Sequence, residues 1–123
     1  MITVTIWRTK AGFIHRFRAS GHAGYAPAGS DIICSAITAI ASTAIGSLED
    51  LAQLDIRTHM EDGLIECCLP DQSVMTKAQC QTAKIILEAM VLGCRQVEQS
   101  YGRTYVQVRE KVTHKEVHDH DSC

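Results

Sequence analysis

Aromatic residues, prolines and long apolar runs are scarce in this 123-residue sequence. Only two phenylalanines and two prolines occur, so the core must be mainly aliphatic. No uninterrupted apolar run approaches the roughly 20 residues that a membrane-spanning helix needs. The first residues also lack the basic start and apolar centre of a secretory signal. We therefore expect a cytoplasmic protein without a membrane contact.

The six cysteines contain no Cys-x-x-Cys pair. Their spacing argues against a zinc ribbon and against a thioredoxin-type redox motif. The C-terminal tail is rich in histidine, but a specific metal site needs ligands that are held in fixed positions. We expect no metal, no cofactor and a disordered tail over residues 113–123.

Acidic residues are absent from the first 30 positions, although the whole chain has a net charge of −2. This segment contains a basic ribbon, which consists of Arg8, Lys10, Arg16 and Arg18. Such a ribbon could meet RNA or an acidic partner. The glycines and aromatic residues of an RNA-binding signature do not accompany it, so we favour a solvated strand face and expect no RNA contact.

Hydrophobic periodicity predicts a single α+β domain over residues 1–112, with two layers, ββαββα order and a short extra C-terminal strand. Alternating apolar residues predict two hairpins, with strands over 2–7, 13–19, 56–60 and 65–69. Apolar residues three or four apart predict long helices over 31–53 and 76–101. We expect a mostly antiparallel sheet that carries both helices.

Local motifs mark several of these boundaries. Asp62-Gly63 is a favoured pair for the tight turn of the second hairpin. Thr76 and Gln79 fit a capping box at the start of the second helix, with Ser73 as an alternative, earlier cap. The last strand is expected to run from Tyr105 to Val112.

The first predicted helix is apolar on two sides. One side carries Ile33, Ile37, Ile40, Ala44, Leu48 and Leu51, and the other carries Ala36, Ala39 and Thr43. One small sheet can cover only one of these sides. The other side is therefore expected to meet the second helix or a second subunit.

Candidate catalytic residues lie between Gly21 and Cys34. His22 ends a strand, a glycine-rich loop follows, and Cys34 lies in the first turn of a helix that starts at Ser30 or Asp31. Unpaired N–H groups and the positive end of the helix dipole stabilise a thiolate. A nearby histidine can lower the pKa of the thiol and protonate a leaving amine.

A purely structural interpretation of these two residues stays open. Free cysteine is among the most buried residue types, so Cys34 could serve packing alone. His22 could be a satisfied polar residue instead of part of a site.

Two segments of this stretch resemble the ribosomal-processing cysteine proteases (Prp). The family pattern is a Gly-His-Ala-Gly start, a loop that ends in Gly, and then Asp-Ile-Val-Cys. This chain has Gly21-His22-Ala23-Gly24 and Gly29-Ser30-Asp31-Ile32-Ile33-Cys34. The one change in the last block, Ile33 for Val, is conservative.

The resemblance implies roles for individual residues. Residues 1–112 would form a cysteine-protease-like domain in which Cys34 is the nucleophile and His22 its partner in a catalytic dyad. Asp31 would orient His22 or cap the helix. The substrate loop would contain Gly21, Gly24, Tyr25, Gly29 and Ser30, and would close over a peptide.

Proteins similar to this one remove a short N-terminal extension from large-subunit ribosomal protein twenty-seven. The resemblance therefore implies an endopeptidase that acts through a thioester, with the N-terminal peptide of a ribosomal protein as partner, and a homodimer. Two alternatives remain at this point. One is a ribosome- or RNA-associated binding module that uses the basic ribbon, and the other is a redox-sensing protein in which the Cys34 thiol reacts with oxidants.

Overall fold

Residues 1–23 and 31–113 are described by a computed structural model of the chain. The elements follow in the order β1 (Ile2–Arg8), β2 (Ile14–Gly21), α1 (Ile32–Asp50), β3 (Arg57–Glu61), β4 (Leu64–Cys68), a short 3₁₀ helix (Gln72–Val74), α2 (Lys77–Tyr101) and β5 (Val106–Val112). This confirms the predicted α+β fold and its ββαββα order with an extra C-terminal strand. The tail expected to be disordered spans residues 113–123. The structure describes Thr113, whose N–H donates to the Arg8 carbonyl at 2.7 Å. Residues 114–123 lie outside the described part of the chain, so their disorder stays a prediction.

The five strands form one sheet in the order β3-β4-β2-β1-β5. The pairs β1–β2, β2–β4 and β3–β4 are antiparallel. β5 runs parallel to β1, with Ile2 opposite Val106 and Arg8 opposite Val112. The prediction of a mostly antiparallel sheet is therefore confirmed, and β2 lies at its centre between β4 and β1.

The core lies between the sheet and the two helices. Among the described residues, Phe17 is the largest fully buried side chain, and most of the other large ones are aliphatic: Ile6, Ile14, Ile33, Leu48, Leu87, Val4 and Val106. Leu51 was expected in the buried stripe of α1, but it is 70% exposed. The reason is that α1 ends at Asp50, so Leu51 leaves the helical face that continues to Leu48.

α1 is long and apolar enough to cross a membrane by length and composition alone. Hydroxyl residues such as Ser35 and Thr38 interrupt its sequence, so it contains no continuous apolar run of that length. In the structure, Ile33, Ile37 and Leu48 of this helix are buried in the core. Packing against the core therefore accounts for part of the hydrophobicity of α1.

The basic ribbon is largely tied into the fold. The Arg8 guanidinium donates to Glu88 on α2 and to Glu110 on β5, each at 2.6 Å. Arg16 donates to Glu66 at 2.6 Å and lies 4.0 Å from the centre of the Trp7 ring. Because these arginines already have carboxylate partners, part of the positive charge of the basic ribbon is neutralised within the fold. This argues against an RNA-binding surface.

Candidate active site

The backbone around His22 is fixed by contacts with two other segments. Gly21 ends β2 with φ +98°, and a Cβ at this position would lie 2.3 Å from the carbonyl oxygen of Met1. The Gly21 N–H donates to the carbonyl of Gly63 at 2.8 Å. The terminal ammonium of Met1 donates to the carbonyl of His22. His22 is thus held at the end of β2 while 63% of its side chain stays exposed.

Cys34 is the third residue of α1, and Asp31 is the N-cap of that helix. The Cys34 N–H donates to Asp31 Oδ1 at 3.0 Å, and the thiol donates to Asp31 Oδ2 at 3.1 Å. The Ala23 N–H points at the same sulfur, with a distance of 3.4 Å from N to Sγ. The end of β2 and the start of α1 therefore meet at the Cys34 sulfur, although eleven residues separate Ala23 from it in sequence.

The environment of Cys34 favours the protonated thiol. Burial raises the pKa of the Cys34 thiol above its usual value, and the Ala23 N–H opposes this in part. The hydrogen bond and the negative charge of Asp31 raise the pKa further. The expectation that the helix start would make this thiol acidic is thus wrong for this conformation.

A cleft of about 280 Å³ opens beside Cys34 and His22. Its floor is apolar and comes from β1, β2, α1 and β4: Ile2, Ala19, Ile37 and Ile65. Its rim is the end of the second hairpin, residues 60–64, where Glu61 and Asp62 add two carboxylates. The cleft can therefore receive an apolar segment of a peptide beside a thiol and an imidazole.

Sequence reasoning missed the contact of Asp62 with this site. Asp62 Oδ2 lies 4.0 Å from His22 Nε2, and the backbone of Gly63 lies against the imidazole ring. The only sequence signal at these positions is the Asp-Gly pair, which predicts the turn but gives no indication that the turn lies beside His22. The hairpin comes next to His22 because β4 pairs with β2.

The other free cysteines within the described residues are Cys67, Cys80 and Cys94, and their environments differ from that of Cys34. Cys67 and Cys94 are buried in the core, and burial raises the pKa of each thiol to about 12. Cys80 lies in the first turn of α2, and the cleft beside His22 is lined by other residues. In the described part of the chain, Cys34 is therefore the free thiol that lines the cleft.

The predicted loop residues are only partly within the described ranges. Gly21 lines the cleft, as do His22 and Cys34. Asp31 caps α1, which is one of the two roles expected for it. Gly24, Tyr25, Gly29 and Ser30 lie outside the described residues, so the substrate loop stays a prediction.

Comparison with known proteins places the chain next to peptidases of one family. Residues 1–107 match the family model described as cysteine protease Prp. The ribosomal processing cysteine protease Prp of Bacillus subtilis (strain 168) is 29% identical over 102 residues, which cover 82% of this chain and 90% of that protein.

Two solved structures share the fold. The ribosomal processing protease Prp from S. aureus, in complex with a covalently linked product peptide, has a TM-score of 0.77 and 21% identity, and the match covers 90% of this chain and 100% of that one. SMU.848 from Streptococcus mutans has a TM-score of 0.74 and 25% identity, and the match covers 92% of this chain and 96% of that one.

Proposed function

The chain belongs to the cysteine protease Prp family, and on this premise we propose that it removes a short N-terminal extension from large-subunit ribosomal protein twenty-seven through a dyad of Cys34 and His22. The observation that carries the proposal is the 3.4 Å contact between the Ala23 N–H and the Cys34 sulfur. It brings the residue after His22 to the sulfur, in a cleft that both side chains line. The cleavage of a ribosomal protein would take place in the cytoplasm.

The reaction follows from the chemistry of the two side chains. His22 takes the proton of the Cys34 thiol, and the sulfur attacks the scissile carbonyl carbon to form a C–S bond. The imidazolium then protonates the leaving amine, and the C–N bond breaks to leave a thioester. His22 next removes a proton from water, which attacks the thioester and releases the acid and the thiol.

One backbone donor is well placed for the oxyanion of this reaction. The attacked carbon is bonded to Sγ, so the negatively charged oxygen develops close to the sulfur. The Ala23 N–H already points at Sγ, whereas the Cys34 N–H donates to Asp31 Oδ1. We therefore assign Ala23 as an oxyanion donor in the reacting enzyme.

Asp31 has two roles in this proposal. Its Oδ1 caps the helix that carries the nucleophile, and its Oδ2 accepts the thiol proton of Cys34 in a hydrogen bond. Burial and this hydrogen bond both raise the pKa of the Cys34 thiol, so it reacts slowly with stray electrophiles. Attack then depends on the transfer of this proton to His22.

The proposal is tested with a synthetic peptide that spans the encoded N-terminus of the host's ribosomal protein. We expect the purified protein to cut it once, at the residue that begins the same protein when it is isolated from ribosomes. Mass spectrometry identifies both ends, and a peptide of the same composition in scrambled order is the control. An uncut peptide, together with a ribosomal protein that keeps its full encoded N-terminus, would overturn the assignment.

The second apolar side of α1 supports the homodimer. α1 and α2 enclose an open apolar groove of about 490 Å³, lined in part by Ala39, Ile40, Ile85 and Ala89. Ile85 is 70% exposed, and a second copy would remove this surface from water. We expect light scattering to give about twice the monomer mass of 13.5 kDa.

A matched pair of variants checks which surface forms this dimer. Ile85→Asp should give a monomer, whereas Val74→Asp, at a similarly exposed position outside the groove (73%), should stay dimeric. A wild-type monomer, or equal effects of the two changes, would show that the groove does not join two copies.

A further inference from the structure

The turn between β3 and β4 forms a support for the His22 ring. A Cβ on Gly63 would lie 2.9 Å from His22 Nε2, 3.4 Å from Cε1 and 3.5 Å from Cδ2, so the imidazole rests against the backbone of this glycine. Asp62 Oδ2 lies 4.0 Å from the same Nε2 atom. One short turn therefore contacts the ring and places a carboxylate beside one of its nitrogens.

The turn is attached to the strand that carries His22. β2 pairs with β4, and Ser20 lies opposite Leu64. The Gly21 N–H donates to the Gly63 carbonyl at 2.8 Å, which continues this pairing up to the residue before His22. The distance between the turn and the ring is thus set by the sheet, which is the rigid part of the molecule.

We propose that Asp62 is a positioning residue for His22 and that Gly63 is the surface on which the imidazole rests. The proposal rests on the catalytic role proposed for His22. Asp62 takes no proton in the reaction. It fixes which nitrogen of the ring carries the proton, and it stabilises the ring when both nitrogens are protonated.

The chemistry follows from which nitrogen faces the turn. A carboxylate beside Nε2 favours the tautomer with its hydrogen on Nε2. Nδ1 is then the nitrogen that accepts the Cys34 thiol proton and later gives it to the leaving amine. The imidazolium formed in between has its Nε2–H directed at Asp62, an arrangement that also supports the histidine of other dyads and triads.

Other charged groups near His22 act at different places. The Met1 ammonium bonds the backbone carbonyl of His22, and the Asp31 carboxylate bonds the Cys34 thiol. Glu61 is also on the rim of the cleft, but its carboxylate pairs with His59 at 3.4 Å. Asp62 is 98% exposed, so water weakens its effect in the free protein, and a bound peptide that excludes water strengthens it.

The carboxylate is tested by Asp62→Asn, with Asp55→Asn, at an exposed aspartate outside the cleft, as the matched control. We expect Asp62→Asn to lower kcat about fivefold with KM within about twofold of the wild-type value, and Asp55→Asn to leave both unchanged. Asp62→Glu should restore part of the lost rate. Equal rates for Asp62→Asn and wild type, or equal losses in the two variants, would overturn the role of Asp62.

Nitrogen NMR of the free protein gives a second readout that needs no substrate. The fraction of neutral His22 rings that carry the proton on Nε2 should be measurably lower in Asp62→Asn than in the wild type, since water weakens the effect of Asp62 but does not remove it. An unchanged tautomer would overturn the positioning role even if the peptide is cut. The two proposals can also be separated. If Asp62→Asn changes the tautomer but His22→Ala still cuts the peptide, the contact between Asp62 and His22 is upheld and the catalytic role of His22 is rejected.

The supporting surface is tested by Gly63→Ala against Gly12→Ala. Both glycines lie in hairpin turns with positive φ, +75° and +97°, so both variants carry similar backbone strain. Around Gly12 the space for a Cβ is open, whereas at Gly63 the new methyl group must displace the His22 ring. We expect about a tenfold lower kcat for Gly63→Ala alone. The same kcat in both variants would overturn the role of Gly63.

Discussion

Cys34→Ala and His22→Ala are each expected to abolish peptide cleavage, with a loss of about a thousandfold or more in kcat. Either change removes one half of the proposed dyad, so neither the thioester nor its protonated leaving group can form. Both proteins should remain folded, because Cys34 is half-buried and His22 is largely exposed. Peptide cleavage followed by mass spectrometry, together with thermal unfolding, measures both effects.

Cys80→Ala is the matched control for this pair. Cys80 is also a free, half-buried cysteine in the first turn of a long helix, but it does not line the cleft beside His22. Its variant should cleave the peptide at the wild-type rate. Full activity in Cys34→Ala would mean that the nucleophile is another residue.

Gly21→Ala is expected to lower the free energy of unfolding by about 3 kcal/mol and to reduce kcat strongly. The added Cβ would lie 2.3 Å from the Met1 carbonyl oxygen, and backbone atoms cannot rotate away as a side chain can. The strand end must therefore shift, and His22 shifts with it. Urea unfolding and peptide cleavage of the same preparation give the two values.

The control for Gly21 is Gly102→Ala, at the end of α2. Gly102 has the same φ of +98°, but the space around its Cβ position is open. We expect a cost of about 1 kcal/mol from backbone strain alone and no loss of kcat. If the two variants unfold at the same urea concentration, the clash with Met1 has no energetic importance.

Features that depend on adjacent residues were predicted well from the sequence. Thr76 and Gln79 form the expected capping box, with Thr76 Oγ1 accepting from the Gln79 N–H at 3.0 Å and Gln79 Oε1 accepting from the Thr76 N–H at 2.8 Å. Asp62 and Gly63 form the expected turn between β3 and β4. Such motifs satisfy their hydrogen bonds within a few residues, so the local sequence is enough to specify them.

Features that depend on strand pairing were not predicted. Asp62 is close to His22 because β4 pairs with β2 in one particular register, and that register involves residues more than forty positions apart. The bond from the Cys34 thiol to Asp31 depends on a side-chain conformation that composition does not reveal. The thiol was expected to be acidic, but its burial and, after that, the Asp31 carboxylate raise its pKa and oppose the effect of the helix start.

The parallel pairing of β1 with β5 has a consequence for synthesis on the ribosome. β1 can form its hairpin with β2 early, but its other edge stays unpaired until Val106–Val112 have been made. Glu110, which binds Arg8, also arrives with that last strand. The nascent chain therefore exposes the edge of its central hairpin for almost the whole of translation, a state that favours pairing with other chains. Since this contact joins residues about as far apart as the fold allows, it should also be among the slowest steps of folding.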